Sequence, residues 1–443
     1  MHETLGETLS LWWLTPFVGM LLSIAILPLA AGEWFEHNRN KAVVAALFGT
    51  PVVVYLLLRQ GEAGREAVLH TAEEYVSFII LLFALFTVAG GIHLSGNLLG
   101  KPHVNALFLG LGAVFANLVG TTGAAMVLIR PVLRANAERT RVAHTVIFFI
   151  FVVCNCGGLL TPLGDPPLFL GFLRGVPFTW TFRLLPQWLL VNGIVILVYY
   201  LLDRREYRRE PGGALVADEL DYVPLRLMGA QNILFLGGIM ACVLFSAPLH
   251  EAGAAVGFPF VREVLMVAVA VLSLLLGSPQ ARRLNNFAWA PIAEVAIVFA
   301  GIFACMVPAL EILRARGDEF GLTRPWQYFW VTGSLSSFLD NAPTYLTLGS
   351  VAQGYLGLEA FHELASSVVS HSSGLSPAAF LAAVSCGAVF MGANSYIGNA
   401  PNFMVRSIAE HHGVRMPHFF GYMGYSAVVL LPVFALVTLV FFV

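Results

Sequence analysis

Two aspartates stand out for their surroundings. Asp340 lies in FLDNAPTYLT (338–347) and Asp165 in GGLLTPLGDPPLFLG (157–171), both inside apolar stretches. An ionisable side chain at the centre of a membrane helix costs about 2.5–3.5 kcal/mol on insertion scales, so it persists where it has a use. Neither aspartate has a lysine or arginine close by in sequence. A carboxyl group without a fixed basic partner binds a cation or holds a proton, and the two compete. Poor solvation favours the protonated form and a bound cation favours the ionised one, which is the chemistry of cation/proton exchange. A second role open to Asp340 is to cap a helix at a turn.

Neutral oxygens gather at the same places: Asn341 and Thr344 beside Asp340, Thr121 and Thr122 in another interrupted segment, and Thr161, Ser395 and Asn399 near prolines. Carboxylate, amide, hydroxyl and backbone oxygens are the ligands hard cations prefer, so sodium is expected at Asp340 and Asp165 with these groups around it. Taken singly, each could equally be a helix-to-helix hydrogen bond. Asn117, Asn155, Asn394 and Asn402 form a second rank. Glu74, Glu294 and Glu311 read as interfacial residues, and His93 as a satisfied packing residue.

The elements that position these groups follow from composition. Of 443 residues, 58% are hydrophobic and 11% charged, against about 25% charged in soluble domains. Apolar runs long enough to cross a bilayer, about 20 residues each as helix, recur near 11–30, 42–58, 75–95, 143–174, 184–202, 228–247, 262–278, 290–313, 375–410 and 417–442. The chain therefore reads as an all-α polytopic protein whose partner is the lipid bilayer. Two further apolar stretches are interrupted in the middle, 104–133 at Gly120-Thr121-Thr122-Gly123 and 325–352 at Asp340-Asn341-Ala342-Pro343. Each is too long for one helix and too short for two crossings, so both are expected to be re-entrant hairpins. Pro162, Gly164, Pro166 and Pro167 are expected to stop the span over 143–174, and Gly398 and Pro401 the span over 375–410.

The formal net charge of −2 gives no electrostatic case for nucleic acid. Five cysteines, all in apolar stretches, suit buried small hydrophobes better than disulfides or zinc ligands. No cofactor is indicated, and no H-E-x-x-H or comparable catalytic set supports a membrane-embedded enzyme. The first ten residues lack a basic region, so the run from Leu11 is expected to remain as a span.

With the hairpins entering and leaving on one side, loop Lys and Arg residues sort sixteen against eight. The richer face is expected to be cytoplasmic, which places both termini outside and the 203–227 linker inside. The halves 1–202 and 228–443 then have opposite topology. An internal repeat agrees: Gly158, Thr161, Gly164, Asp165 and Pro167 align without a gap on Gly392, Ser395, Gly398, Asn399 and Pro401. Inverted repeats with broken helices at the midplane are a common plan of secondary transporters.

These motifs resemble the ion transporter superfamily, which includes dicarboxylate and citrate carriers, arsenite permeases and D-type bacterial sodium/proton antiporters. The resemblance implies two inverted repeats, each with a re-entrant hairpin and a discontinuous helix, in a homodimer of the bacterial inner membrane. Asp340-Asn341-Ala342-Pro343-Thr344 and Thr161-Pro162-Leu163-Gly164-Asp165 are similar to motifs of the sodium/proton antiporters, and by that likeness Asp340, Asn341, Thr344, Asp165 and Thr161 form the path of sodium (or lithium) and protons. A carboxylate at the second hairpin tip, where the carboxylate carriers have Ser-Asn-Thr, would repel a carboxylate substrate. Pro166-Pro167 is nearer the carboxylate carriers, which keeps coupled citrate or dicarboxylate transport as the alternative.

Overall fold

The computed structural model describes residues 5–213, Asp218, 222–255, 257–368 and 374–443. The first four residues, and the parts of the expected 203–227 linker at 214–217 and 219–221, lie outside the described residues. Apart from short turns, the chain runs α1 (Thr15–Ala30), α2 (Asn38–Arg59), α3 (Gly61–Ala89), β1 (His93–Asn97), α4 (Pro102–Arg134), α5 (Ala143–Val152), α6 (Pro166–Leu173), α7 (Leu185–Tyr207) and β2 (Val223–Met228). It continues as α8 (Gln231–Leu244), α9 (Ser246–Ala255), α10 (Val261–Leu276), α11 (Ala290–Ala315), α12 (Pro325–Ser336), α13 (Asn341–Tyr355), α14 (Pro377–Met391), α15 (Ala400–His411) and α16 (Phe419–Phe441).

Among the described residues nine helices are long and apolar enough to cross a membrane, and α8 with α9, bent by 67°, makes a tenth if counted as one span. The protein is an all-α polytopic membrane protein. Lipid can satisfy no backbone group, so each helix must close its own hydrogen bonds and irregular backbone must be enclosed by protein.

α4 breaks at a single residue. Gly120 has φ 79° and ψ 154°, a conformation essentially confined to glycine. The chain reverses there: a Cβ on Gly112 would lie 3.2 Å from the Leu128 side chain, whereas sixteen residues of straight helix would separate them by about 24 Å. Thr121 and Thr122, expected inside the interruption, instead open the returning half of the helix. The second reversal falls between α12 and α13, and Tyr328 and Tyr355, from its two arms, pack on the same Phe380 ring at 5.3 and 5.9 Å.

The other two breaks have matching geometry. α5 stops at Val152, and after an irregular stretch through Thr161–Asp165 the chain resumes as α6. α14 stops at Met391 and resumes as α15 after Ser395–Asn399. Gly158 faces the backbone of Gly164, and Gly392 that of Gly398, so closely that a Cβ at Gly164 or Gly398 would collide with the opposing carbonyl. The prolines do not stop the preceding helices as expected. Pro166, Pro167 and Pro401 occupy the first turns of α6 and α15, where a missing N–H costs nothing because no intrahelical acceptor is available. Pro343 likewise sits in the first turn of α13.

Two further expectations change. The span over 75–95 ends at Ala89, and 93–97 forms a strand paired antiparallel with Val223–Met228, His93 opposite Met228. Part of the expected linker is therefore built into a two-stranded ribbon. Elsewhere α11 packs on α2 with Gly301 against Ala45, small residues letting backbones approach as they do between membrane helices.

Candidate functional site

The four breaks converge on Asp165. This residue is 1% exposed and stands at the start of α6 with extended backbone, φ −146° and ψ 143°. Its Oδ1 accepts from Thr121 Oγ1 at the first hairpin tip (2.9 Å) and from Asn399 Nδ2 in the second break (3.2 Å). Its Oδ2 accepts from Asn341 Nδ2 at the second hairpin tip. No ion pair holds this carboxyl among the described residues, whereas the side-chain Oδ1 of Asn341 is buried with no hydrogen-bond partner. The Asn341 side chain thus donates to the carboxyl of Asp165 through its amide and holds an unpaired acceptor oxygen beside it.

The supports are paired. Thr161 Oγ1 donates to the carbonyl of Asn117 on the first hairpin, and Ser395 Oγ donates to the carbonyl of Ser337 on the second, each at 2.5 Å. Asn117 lies four residues before Thr121, and Ser337 four before Asn341. Each hydroxyl thus ties a break to a hairpin arm one turn from its tip. The Thr121 N–H also donates to Gly164 O at 2.9 Å. Asn399 has nearly the backbone of Asp165, φ −153° and ψ 140°, but it is the donor where Asp165 is the acceptor.

The second rank of asparagines is structural glue around this point. Asn155 donates to Asn402 Oδ1 (2.8 Å) and accepts from Asn399 (3.3 Å). Asn402 donates to Gly392 O and Ser395 O, and Asn117 to Ala113 O and Gly157 O. Asn394 donates to Ser337 Oγ at 2.9 Å. The carbonyl of Cys154 accepts from Asn399, and all five cysteines are free thiols.

Asp340 is placed differently from Asp165. It caps α13: its Oδ1 accepts the Ala342 N–H at 3.1 Å, and its carbonyl accepts from Thr344 Oγ1 at 2.9 Å. It is partly exposed and lies outside the bonded set around Asp165. Thr122 lines a cavity of about 80 Å³ with Gly120, Thr121, Asp165, Pro291 and Ile292, between the first hairpin tip and α11.

Of the acidic residues expected at interfaces, Glu294 pairs with Lys41 at 2.7 Å. Glu74 is buried and pairs with Arg174, just after α6, at 3.0 Å. Glu311 sits partly buried near the end of α11. His93 is satisfied, its Nδ1 2.8 Å from Asn285 Oδ1. Sequence reasoning missed one buried charge cluster. Asp203 accepts from Arg139 (2.6 Å), lies 2.8 Å from His144 Nε2, and is reached by Tyr199 at 3.1 Å. Arg139 falls between two apolar runs, and the only hint in the sequence is an aspartate and a histidine lodged at the polar edges of such runs.

A bundle of apolar helices that encloses a polar site at four helix breaks defines a multi-pass membrane transporter. The chain belongs to the family described as "Putative citrate transport", whose profile matches residues 6–442. No curated protein matches it.

Proposed function

We propose that this transporter is a secondary active carrier in which Asp165 exchanges a proton for a sodium or lithium ion by alternating access. The observation that carries the reading is the position of Asp165, where a buried carboxyl receives one hydrogen bond from each hairpin tip and one from the opposite break. Its ligands move with all four segments, so occupancy of the site and the position of the hairpins are coupled. Thr121, Asn341, Asn399 and the open Oδ1 of Asn341 supply oxygens and amides around it, with Thr161 and Ser395 fixing the breaks. Asp340 then acts at the mouth of the second hairpin, as a cap and as a second negative charge that attracts the cation. In this proposal the halves 1–202 and 228–443 are inverted repeats, both hairpins are re-entrant, and the carrier is a homodimer of the bacterial inner membrane with both termini outside and no enzymatic step.

The cavity beside Asp165, about 80 Å³, suits an ion with water and is far below the roughly 300 Å³ at which organic ligand pockets begin. A second reading is favoured by the family description: a citrate or dicarboxylate carrier in which the cation at Asp165 accompanies the anion. That reading requires the hairpin tips to part and widen the cavity.

Proteoliposomes separate the two. Added sodium or lithium without carboxylate should dissipate an imposed pH gradient reported by an internal dye, and labelled citrate should stay outside. Cation-dependent accumulation of citrate, with no response to cation alone, would replace exchange by carboxylate transport. Silence in both arms would overturn both.

A further inference from the structure

A second concave site lies at the opposite end of the first hairpin from Asp165. It is a cleft of about 810 Å³ walled by the end of α4, the turn into α5, the end of α7 and the 412–415 loop before α16. Five arginines line it: Arg134, Arg139, Arg141, Arg209 and Arg415. Their charge is incompletely answered. Arg139 pairs with Asp203 at 2.6 Å and lies 3.8 Å from Glu210, while Arg141 and Arg209 share one carboxylate, Glu206, at 2.7 and 2.9 Å. Arg134 donates only to backbone carbonyls, Leu94 O and Gly96 O, and Arg415 makes no ion pair among the described residues. Among the described residues, five guanidinium groups against three carboxylates leave two positive charges facing the cleft.

The same walls carry apolar groups, Leu133, Leu202 and Val414. Leu133 and Leu202 stand near the ends of the apolar helices α4 and α7, and Val414 in the loop before α16, so guanidinium groups and apolar side chains share one cleft. Planar guanidinium groups bind phosphate in a bidentate fashion, and basic pockets between transmembrane helices on the cytoplasmic side take anionic lipid headgroups. By charge sorting this end of the bundle is the cytoplasmic one. We propose that the cleft binds a phosphate group, carried by an anionic phospholipid headgroup or present as free phosphate. Bound there, it bridges the base of the first hairpin to the loop before the last helix, joining elements from both halves of the chain. Arginine removal should weaken binding by roughly fivefold for each group lost.

The test uses the full-length protein, delipidated and returned to nanodiscs or detergent. Native mass spectrometry of protein titrated with phosphatidylglycerol or phosphatidylcholine, and thermal unfolding with inorganic phosphate, are compared for wild type, the Arg134→Gln/Arg415→Gln pair and Arg415→Glu alone. The last variant alters an exposed loop residue and keeps the test open if the pair misfolds. Selective retention of phosphatidylglycerol that falls at least fivefold in the variants assigns the lipid. Stabilisation by inorganic phosphate alone, lost in the variants, assigns free phosphate. Equal retention of both lipids with no phosphate response, or binding unchanged in Arg415→Glu and in any folded pair variant, overturns the proposal.

Discussion

Replacing Asp165 by asparagine separates the charge of the site from its shape. The carboxylate accepts three bonds, from Thr121, Asn399 and Asn341, and an amide in its place keeps one acceptor and gains a donor. The open Oδ1 of Asn341 can take that new N–H once the Asn341 amide turns over. One bond is exchanged for another, so folding stability should change by about 1 kcal/mol or less, the net worth of a neutral hydrogen bond. The cation loses far more. A unit charge about 4 Å from a carboxylate gains roughly 4 kcal/mol at an effective dielectric of 20, which is about three powers of ten in affinity. Solid-supported membrane currents and the pH-gradient assay, run across a sodium titration, should show no saturable response for Asp165→Asn, while gel filtration and thermal unfolding stay near wild type. A variant that is well folded and retains the wild-type half-saturation would refute the role given to Asp165.

Other positions give sharper separations of structure from transport. Asp340→Asn keeps an efficient helix cap and removes the charge, so stability should hold while the sodium concentration for half-maximal transport rises; Asp340→Ala should cost about a further 1 kcal/mol in thermal unfolding. Gly120→Ala forces a Cβ onto φ 79°, ψ 154° and to 3.3 Å from Leu163 O, with an expected loss of about 1–3 kcal/mol and a displaced Thr121, visible as a weaker cation response. Asp203→Asn leaves Arg139 buried without its main counter-ion and should cost about 3–5 kcal/mol, read as a large drop in Tm with no selective change in ion preference. Glu210 is held below its ordinary value of 4.5 because bonds from the Thr140 N–H and hydroxyl and the Arg141 N–H, with nearby Arg139, outweigh its burial. Its contribution is present above that range and is withdrawn as pH falls through it, so Glu210→Gln should flatten the acid limb of stability against pH.

Much of this site could be read from residue types alone, because membrane burial makes polar groups conspicuous. Asp165, Asn399, Thr161 and Ser395 lie on the aligned repeat, and the repeat places equivalent groups in equivalent bonds: Thr161 on the carbonyl of Asn117 and Ser395 on that of Ser337. What stayed hidden has physical causes. Aspartate both caps helices and binds ions, so sequence alone could not separate the cap at Asp340 from the buried carboxyl at Asp165. Proline interrupts a helix or opens one according to where the first turn falls, and here Pro166 and Pro401 open them. The strands at His93–Asn97 and Val223–Met228 depend on a partner more than a hundred residues away, beyond the reach of any local pattern. The pairing of Arg139 could not be seen in the sequence because its partner, Asp203, is brought to it by a different helix.

The aligned motifs also explain why the bonded set between the hairpin tips contains one carboxyl rather than two. The equivalents of Asp165 and Thr121 in the second half are Asn399 and Asn341, and both point their amides at Asp165. Had Asn399 been a carboxylate at its 3.2 Å separation, the two acids could not both ionise, since like charges that close force one to keep its proton. An amide at that position removes the conflict and supplies a hydrogen-bond donor to Asp165. The near-symmetric backbone therefore builds a single carboxyl between two hairpins that approach from different halves of the chain. In the proposed exchange, a proton or a cation loaded on this one group competes with the same three bonds, and those bonds are what connect the two hairpin tips and the two breaks.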